Sequence, residues 1–379
     1  MSLALCFVFV WGLAACGGEQ HECPPSVTTA EGETVSSLVT ASETAAETAA
    51  SEETAPAEVT SSEAETETVE PVIDVHANLV MAHDQMGERL VIYDLDAYTQ
   101  SENPNMSLDD LEVWSIPTGH AAGLKYREGS GFGDVIVVAG NHSAIYAYPS
   151  GEELWGTDIP GDNPHSVELL PSGNLVIASS TGSTLRLFYT SQILEGRVGS
   201  ASRYTDYTLA GAHGVLWDPT YQVLWAVGDY DLKAYRLEGE GKREALVEIP
   251  EMSIALPADR IWGHDLSPDY TDTRYLYITS SRVMRFDKET LTLEDSFPIS
   301  DQPNRSGVKG FSNNPNGHFF ITGETGGAGT TWPDWWKASW CTDGIYYVYT
   351  DGEGNSQWVK LTSTVSAFYK IRSFCGQYQ

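Results

Sequence analysis

A short pattern that recurs at nearly constant spacing constrains the fold of this chain more than any other feature. At each occurrence a His or Lys follows a loop and precedes a short apolar stretch that ends in a turn. The pattern starts at five residues: His120, His165, His213, His264 and Lys309. Subtracting these positions gives intervals of 45, 48, 51 and 45 residues, a period typical of repeated four-stranded units. The spacing therefore predicts the blades of a β-propeller.

Composition favours the same fold class. The chain of 379 residues contains 35 Gly, 19 Tyr and 11 Trp, and no long segment has the apolar period of a helix. The net charge is -32, and the chain has no basic stripe that could release counterions from phosphates, which excludes nucleic acid as a partner. We therefore expect an all-β protein whose acidic surface keeps it monomeric.

The N-terminal segment predicts export. Residues 1–16 contain an apolar run that ends in Leu13-Ala14-Ala15-Cys16-Gly17, which looks like a lipoprotein signal peptide with Cys16 as the lipidated residue. We expect a lipid anchor in the bacterial outer membrane or at the cell surface, and secretion after ordinary cleavage is the alternative. Residues 17–71 are rich in Ser, Thr, Glu and Ala and predict a disordered tether.

The strand pattern predicts a closed ring over residues 72–379. Each unit holds four strands, A to D from the channel outwards; in the unit that starts at His165 they cover 166–170, 175–178, 185–189 and 204–209. The first unit lacks strand A, while segment 367–374 belongs to no unit. If that segment supplies the missing strand, six four-stranded blades close with both edges paired.

In such a ring the starts of the A strands and the B–C loops lie on one face, so the repeated residues should surround one mouth of the channel. A single His at such a position is more often structural, but four in equivalent positions favour a ligand site. The predicted ligand-binding residues are His83, His120, His142, His264, Arg260, Arg305, Lys309, Lys370, Trp332 and Trp336.

Two ligands suit this set. Neutral imidazoles of His120, His165, His213 and His264 could hold a divalent ion such as Mn²⁺ or Zn²⁺. Alternatively, the His and Lys side chains could bind the carboxylate of a uronic acid in an acidic oligosaccharide, or another anion such as sulfate. No cofactor is required by the second arrangement.

Two further features belong to the last unit. Its long B–C loop carries Trp332 and Trp336, which we expect to offer stacking faces for sugar rings; burial over the blade is the alternative. Cys341 and Cys375 both lie in this unit, and an exported chain could join them in a disulfide, with two buried thiols as the alternative.

Three segments carry a resemblance to a known family: His165-Ser-Val-Glu-Leu-Leu-Pro-Ser-Gly-Asn-Leu-Val, Ala212-His-Gly-Val-Leu-Trp-Asp-Pro and Phe368-Tyr-Lys-Ile-Arg. They resemble an uncharacterised family of secreted bacterial six-bladed β-propellers. The resemblance implies the fold and no established activity. More loosely, His groups at a propeller mouth are similar to those of propeller polysaccharide lyases such as oligogalacturonate lyase.

Two functions from different classes follow. In a β-elimination lyase acting on a uronate-containing glycan, Lys309, Arg305 or a His-bound metal would neutralise the carboxylate. His165 or His213 would remove the C5 proton, and Tyr230 would protonate the leaving oxygen. The alternative is a non-catalytic propeller that binds a glycan or a protein at the same mouth.

Overall fold

The protein folds into six four-stranded antiparallel sheets, with one sheet carrying an additional short strand. The computed structural model describes residues 78–101, 103, 105–295, 307–323, 332 and 338–376. The predicted signal peptide, Cys16 and the whole of the predicted tether lie outside these residues. No helix in the described ranges is long and apolar enough to cross a membrane.

The first three blades occupy the N-terminal half of the ring. Blade 1 contains β1 (Leu79–Asp84), β2 (Arg89–Asp94) and β3 (Glu112–Pro117). Blade 2 contains β4 (Ala121–Ser130), β5 (Gly133–Gly140), β6 (His142–Ala147) and β7 (Glu153–Asp158). Blade 3 contains β8 (Pro164–Leu169), β9 (Leu175–Ser179), β10 (Thr184–Phe188) and β11 (Tyr204–Thr208).

The last three blades follow in the same order. Blade 4 contains β12 (Gly214–Asp218), β13 (Val223–Val227), β14 (Asp231–Glu238), β15 (Ala245–Glu248) and the short β16 (Ile254–Ala255). Blade 5 contains β17 (Asp265–Pro268), β18 (Tyr275–Thr279), β19 (Val283–Asp287) and β20 (Thr292–Glu294). Blade 6 contains β21 (Val308–Asn313), β22 (Phe319–Gly323), β23 (Gly344–Thr350) and β24 (Ser356–Thr362).

Helices occur only as short connections in the described part of the chain. They are α1 (Leu95–Thr99), α2 (Ser191–Leu194), α3 (Val198–Ala201) and two 3₁₀ turns, Leu108–Asp110 and Gly241–Arg243. Asp94 caps α1 by accepting a hydrogen bond from the backbone of Asp96. None of these segments separates two neighbouring blades.

The last strand closes the ring, as the sequence predicts. Strand β25 (Phe368–Ser373) pairs antiparallel with β1 and becomes the innermost strand of blade 1. The innermost strands contact one another in the closed order β25, β4, β8, β12, β17, β21 and again β25. The prediction of six blades closed by a C-terminal strand is therefore confirmed.

The apolar core lies between the blades. Strands β9 and β13 are buried along their whole length, which explains why they are continuous apolar runs. One cluster packs Leu185 and Leu187 of blade 3 against Trp217 and Leu224 of blade 4. Equivalent clusters join the other neighbouring blades, so each sheet is covered on both faces.

A buried ionic network lines the channel and ties the closing strand to blade 5. Asp265 of blade 5 binds both Arg372 and Lys370 of β25, with Arg372 Nη1 2.6 Å from Asp265 Oδ2 and Lys370 Nζ 3.4 Å from Asp265 Oδ1. The Asp265 carboxylate also accepts the backbone N–H of Phe311 in blade 6. Three blades therefore meet at one carboxylate.

A second buried carboxylate, which lies earlier in the chain, also links three blades. Glu168 of blade 3 binds Lys125 and Arg127 of blade 2 at 2.8 and 2.7 Å, and accepts the backbone N–H of Trp217 in blade 4. The Glu168 side chain is fully buried. We refer to Lys125, Arg127, Glu168, Asp265, Lys370 and Arg372 as the channel network.

The predicted disulfide is wrong, because Cys341 and Cys375 are two buried thiols. Thr342, next to Cys341, pairs with Phe368 at the start of β25, whereas Cys375 follows the end of that strand. At about 3.3 Å per strand residue, the two cysteines lie roughly 20 Å apart. A disulfide requires Cα atoms closer than about 7 Å.

Replacing Asp265 with Asn should strongly destabilise the ring. The change leaves Lys370 and Arg372 buried without their carboxylate, which costs about 3–5 kcal/mol when a buried pair is broken. Chemical denaturation measures the free energy of unfolding. The control is Arg236→Ala, which removes an exposed pair with Glu238 and should cost less than about 1 kcal/mol; similar losses in both variants would contradict the role of the network.

Peptide mapping should show that Cys341 and Cys375 are not linked. Without reductant, alkylation in denaturant should modify both thiols, because these two cysteines lie too far apart in the described fold to be joined. Mass spectrometry of the digested protein reads this directly. Recovery of one peptide pair that joins the two positions would overturn the assignment.

Candidate functional site

One residue at the start of each innermost strand bulges from the ladder at the channel mouth. In β8 the pairing passes from Pro164 to Ser166 and omits His165. In β21 it omits Lys309 in the same way, and in β4 it omits Ala122. An inserted residue of this kind redirects its side chain. We call the six equivalent positions the mouth ring: Tyr369, Ala122, His165, His213, His264 and Lys309.

Blades 4 and 5 reach the same geometry by backbone hydrogen bonds. The N–H of His213 donates to Val227 O at 3.0 Å, although Val227 is paired with Gly214. His264 and Asp265 share Thr279 in the same manner. In blade 1, two residues of β25 face one of β1, and the Tyr369 ring lies 5.5 Å from that of His165.

The mouth ring differs from the predicted circle at two positions. His120 lies two residues before Ala122, is exposed, and faces His83 at 6.4 Å between ring centroids. Lys370 is fully buried below the ring, where its Nζ donates to His165 O at 3.0 Å and to His213 O at 2.8 Å. Its predicted role as a ligand-binding residue is therefore wrong, because its donors already bind protein carbonyls and Asp265.

The sequence carries a signal for the correct register, because Gly follows three of the mouth-ring positions. Gly123, Gly214 and Gly310 follow Ala122, His213 and Lys309. A side chain at Gly123 would meet His165 O at 2.6 Å, and one at Gly310 would meet the Lys370 Cα at 2.9 Å. Only Gly lets the next innermost strand approach so closely. Aligning the repeats on this Gly selects Ala122 in place of His120.

Three imidazoles and one ammonium form a contiguous arc on the mouth ring. The ring centroids of His165 and His213 are 4.3 Å apart, and those of His213 and His264 are 5.2 Å apart. Lys309 Nζ lies 2.9 Å from His264 Nε2. We refer to His165, His213, His264 and Lys309 as the mouth arc.

Hydrogen bonds define the tautomers in the mouth arc. His165 Nδ1 lies 2.8 Å from Asn163 O, and His213 Nδ1 lies 2.6 Å from Gly211 O. A carbonyl can only accept, so both Nδ1 atoms carry the proton and both Nε2 atoms present a lone pair. Neither Nε2 has a hydrogen-bond partner among the described residues.

The three imidazoles of the mouth arc are held neutral. Burial and the neighbouring Lys370 lower the pKa of His213 to about 4. Burial and Lys309 lower the pKa of His264 to about 3. Burial, His213 and Lys370 place the pKa of His165 well below its usual range. At neutral pH these residues therefore act as polar, uncharged groups above a cation-rich channel.

Several predicted ligand-binding residues already have structural partners. His83 is buried, and its Nε2 contacts Thr118 Oγ1 at 3.0 Å and Gly119 O at 2.7 Å. Arg260 forms ion pairs with Asp259 and Asp295. These contacts hold both side chains within the fold, and in the described part of the chain neither residue bonds to the mouth arc.

His142 and the predicted tryptophans also differ from expectation. His142 lies beside a shallow open depression, where it contacts Asp158 and Glu153. Trp332 is buried, and its Nε1 donates to Ser366 O at 3.1 Å. Its predicted role as an exposed stacking face is therefore wrong. Arg305 and Trp336 lie outside the described residues.

The predicted metal set is not assembled. His120 belongs to a different register from His165, His213 and His264, and no group of three or more His, Cys, Asp or Glu suited to a metal ion occurs within the described ranges. Lys309 also occupies Nε2 of His264. The chemistry of the arc fits hydrogen-bonding ligands better than Mn²⁺ or Zn²⁺.

Fold and site together define a six-bladed β-propeller with a His- and Lys-lined mouth above an ionically sealed channel. The chain belongs to the Family of unknown function (DUF6528), whose model matches residues 140–337. No curated protein matches the sequence.

Several solved structures are similar to this chain at low sequence identity. A protein of unknown function from Bacteroides caccae is 11% identical, with a TM-score of 0.49 over 78% of this chain and 97% of its own. A functionally unknown protein from Desulfotomaculum acetoxidans DSM 771 is 12% identical, with a TM-score of 0.44 over 78% of this chain and 84% of its own. A chain of a Nidogen/Laminin complex is 11% identical, with a TM-score of 0.48 over 79% and 98%.

The mouth arc should make the protein less stable as the pH falls. The unfolded chain binds protons near the ordinary His pKa of about 6.5, whereas His213 and His264 in the fold do not. Their contribution is therefore complete above about pH 6.5 and is lost as the pH falls toward about 4.

Urea unfolding between about pH 7 and about pH 5 measures this slope. The variant His213→Gln should show a shallower decline than the wild type, because one suppressed protonation is removed. His142→Gln is the control with the opposite sign: burial lowers the pKa of His142, but Asp158 and Glu153 outweigh it and raise the pKa overall. Equal slopes in all three proteins would contradict the assignment.

Proposed function

We propose that the mouth arc binds a glycan that carries a carboxylate, such as a uronate-containing oligosaccharide. The observation that carries this proposal is the pairing of three neutral imidazoles with Lys309 above the cation-rich channel network. Among the described residues, that network contains four basic groups and two carboxylates: Lys125, Arg127, Lys370 and Arg372 with Glu168 and Asp265.

The electrostatic field at the mouth favours an anion. Lys370 and Lys309 both contribute to the lowered pKa of His213 and of His264, which shows that positive charge acts across the ring. Attraction between unlike charges is strengthened where water is excluded. A carboxylate at Lys309 would therefore be stabilised by the arc and by the buried cations behind it.

The neutral imidazoles give the second part of the recognition. A bare Nε2 lone pair on His165 or His213 repels an anion but accepts a hydrogen bond from a hydroxyl group. A uronate sugar offers both kinds of group on one ring. Carboxylate binding at Lys309 with hydroxyl binding at His165 and His213 thus uses three members of the arc in their neutral-pH state, while His264 accepts a hydrogen bond from Lys309.

Ligands are expected to bind at the mouth and not to pass through the ring. Lys370 is fully buried directly beneath His165 and His213, and its Nζ bonds the backbone of both blades. Moving it would break these bonds and its contact with Asp265. The channel is therefore closed beneath the mouth by a side chain that is held in place.

A β-elimination lyase is the second candidate. The Nδ1–H bonds of His165 and His213 to backbone carbonyls orient Nε2 in the way that a general base requires. A pKa of about 4 nevertheless makes His213 a weak base at neutral pH. Tyr230 is exposed on a B–C loop of blade 4, where it could serve as the acid. We favour binding without chemistry.

Calorimetry with trigalacturonate and with neutral galactotriose tests the proposal. The acidic trimer should bind and the neutral trimer should not. Lys309→Met should weaken binding by about 10- to 100-fold, as expected for loss of one charge-assisted hydrogen bond. The control Lys233→Met removes a Lys that pairs with Glu248 on the outer part of blade 4 and should leave affinity unchanged.

Two results would decide against this reading. Equal binding of the acidic and neutral trimers would show that the carboxylate is not recognised. Growth of the ultraviolet absorbance of an unsaturated uronate product, lost in His165→Gln or His213→Gln, would show that the mouth is catalytic.

A further inference from the structure

A backbone conformation recurs two residues before each member of the mouth arc. Asn163, Gly211, Trp262 and Gly307 have φ angles of 55°, 56°, 63° and 74°. Gly adopts this left-handed region without steric cost, and Asn does so more readily than other residues. For a bulky side chain the same conformation costs about 1–2 kcal/mol. Blade 5 is therefore the exception, because it places Trp where the other three blades place Gly or Asn.

The strained backbone of Trp262 is held by its neighbours in blade 4. The Trp262 N–H donates to Asp229 O at 2.5 Å, and the next N–H, of Gly263, donates to Gly228 O at 3.1 Å. These bonds fix the turn regardless of the side chain at position 262. The conformation is thus a requirement of the blade junction, and Gly would satisfy it with less strain.

Burial of the indole does not offset this cost. Trp262 is 58% exposed, which makes it the most exposed tryptophan in the described part of the chain. A large apolar side chain that is both strained and solvated contributes little to folding. Strain of this kind persists mainly where a side chain serves binding or catalysis.

The hydrogen bonding of blade 5 departs from its neighbours at the same place. In blades 3 and 4 the carbonyl of the left-handed residue accepts the Nδ1–H of the ring His. In blade 5, His264 Nε2 instead contacts Lys309, and His264 Nδ1 has no hydrogen-bond partner within the described residues. The exposed Trp262 therefore lies two residues before His264, the imidazole that contacts the Lys309 ammonium.

We propose that Trp262 determines the specificity of the mouth by stacking on a pyranose ring of the bound glycan. This inference rests on the proposed function, since it requires a saccharide at the mouth arc. An indole presents a broad, rigid apolar face that matches the apolar face of a sugar ring. Stacking at Trp262 would then add recognition of the sugar ring to recognition of the carboxylate at Lys309.

The experiment uses the full chain and separates binding from folding. Trp262→Gly should unfold at the same or a higher temperature than the wild type, because Gly relieves the strain and the indole is solvated. It should also weaken trigalacturonate binding at least tenfold. Trp262→Phe keeps an aromatic face and should retain most of the affinity. Tyr204→Ala, an exposed aromatic on the outer strand β11, is the control and should bind like the wild type.

The outcomes distinguish failure of this inference from failure of the proposed function. If the wild type binds trigalacturonate and Trp262→Gly binds equally well, stacking is refuted while carboxylate recognition stands. If galactotriose binds in a manner that depends on Trp262 and not on Lys309, stacking stands and carboxylate recognition fails. If the wild type binds neither trimer, both fail. A large loss of thermal stability in Trp262→Gly would show that the indole is structural and would overturn the inference.

Discussion

The carboxylate of Asp265 is the contact on which the closed ring depends. It lies on blade 5, but its partners are two cations of the last strand and a backbone N–H of blade 6. A buried carboxylate without partners is very unfavourable. The inner strand of blade 5 and the closing strand therefore stabilise each other, so closure is achieved by ionic pairing across the channel as well as by the β1–β25 ladder.

The same network sets the chemistry of the mouth. Lys370 seals the channel and also helps to keep the histidines above it neutral. If the imidazoles were charged, the mouth would be a cluster of like charges with a high energy. Because they are neutral, they can accept hydrogen bonds while the cations supply the field. The buried cations beneath the mouth therefore supply the electrostatic attraction, and the neutral histidines supply the hydrogen-bond acceptors.

The fold was predictable from the sequence because each blade repeats the same local signals. The strands of blade 3 fall within two residues of their predicted bounds, and the unmatched C-terminal segment closes the ring as expected. The site was less predictable, because one inserted residue shifts the register. The motif at His120 resembles the others but stands two positions too early, and the burial of Lys370 depends on contacts with blades 3, 4 and 5. The strain at Trp262 depends on backbone angles that the residue type does not suggest.

The first strand of the propeller begins on the face opposite the mouth. Asn78, just before β1, bonds Asn314 in the turn that follows β21, at the end of that strand opposite Lys309. Whatever precedes Asn78 therefore joins the propeller on the face away from the mouth. The entry of the chain at Asn78 and the mouth arc thus lie at opposite ends of the innermost strands, so a change made at Asn78 would leave the mouth arc untouched.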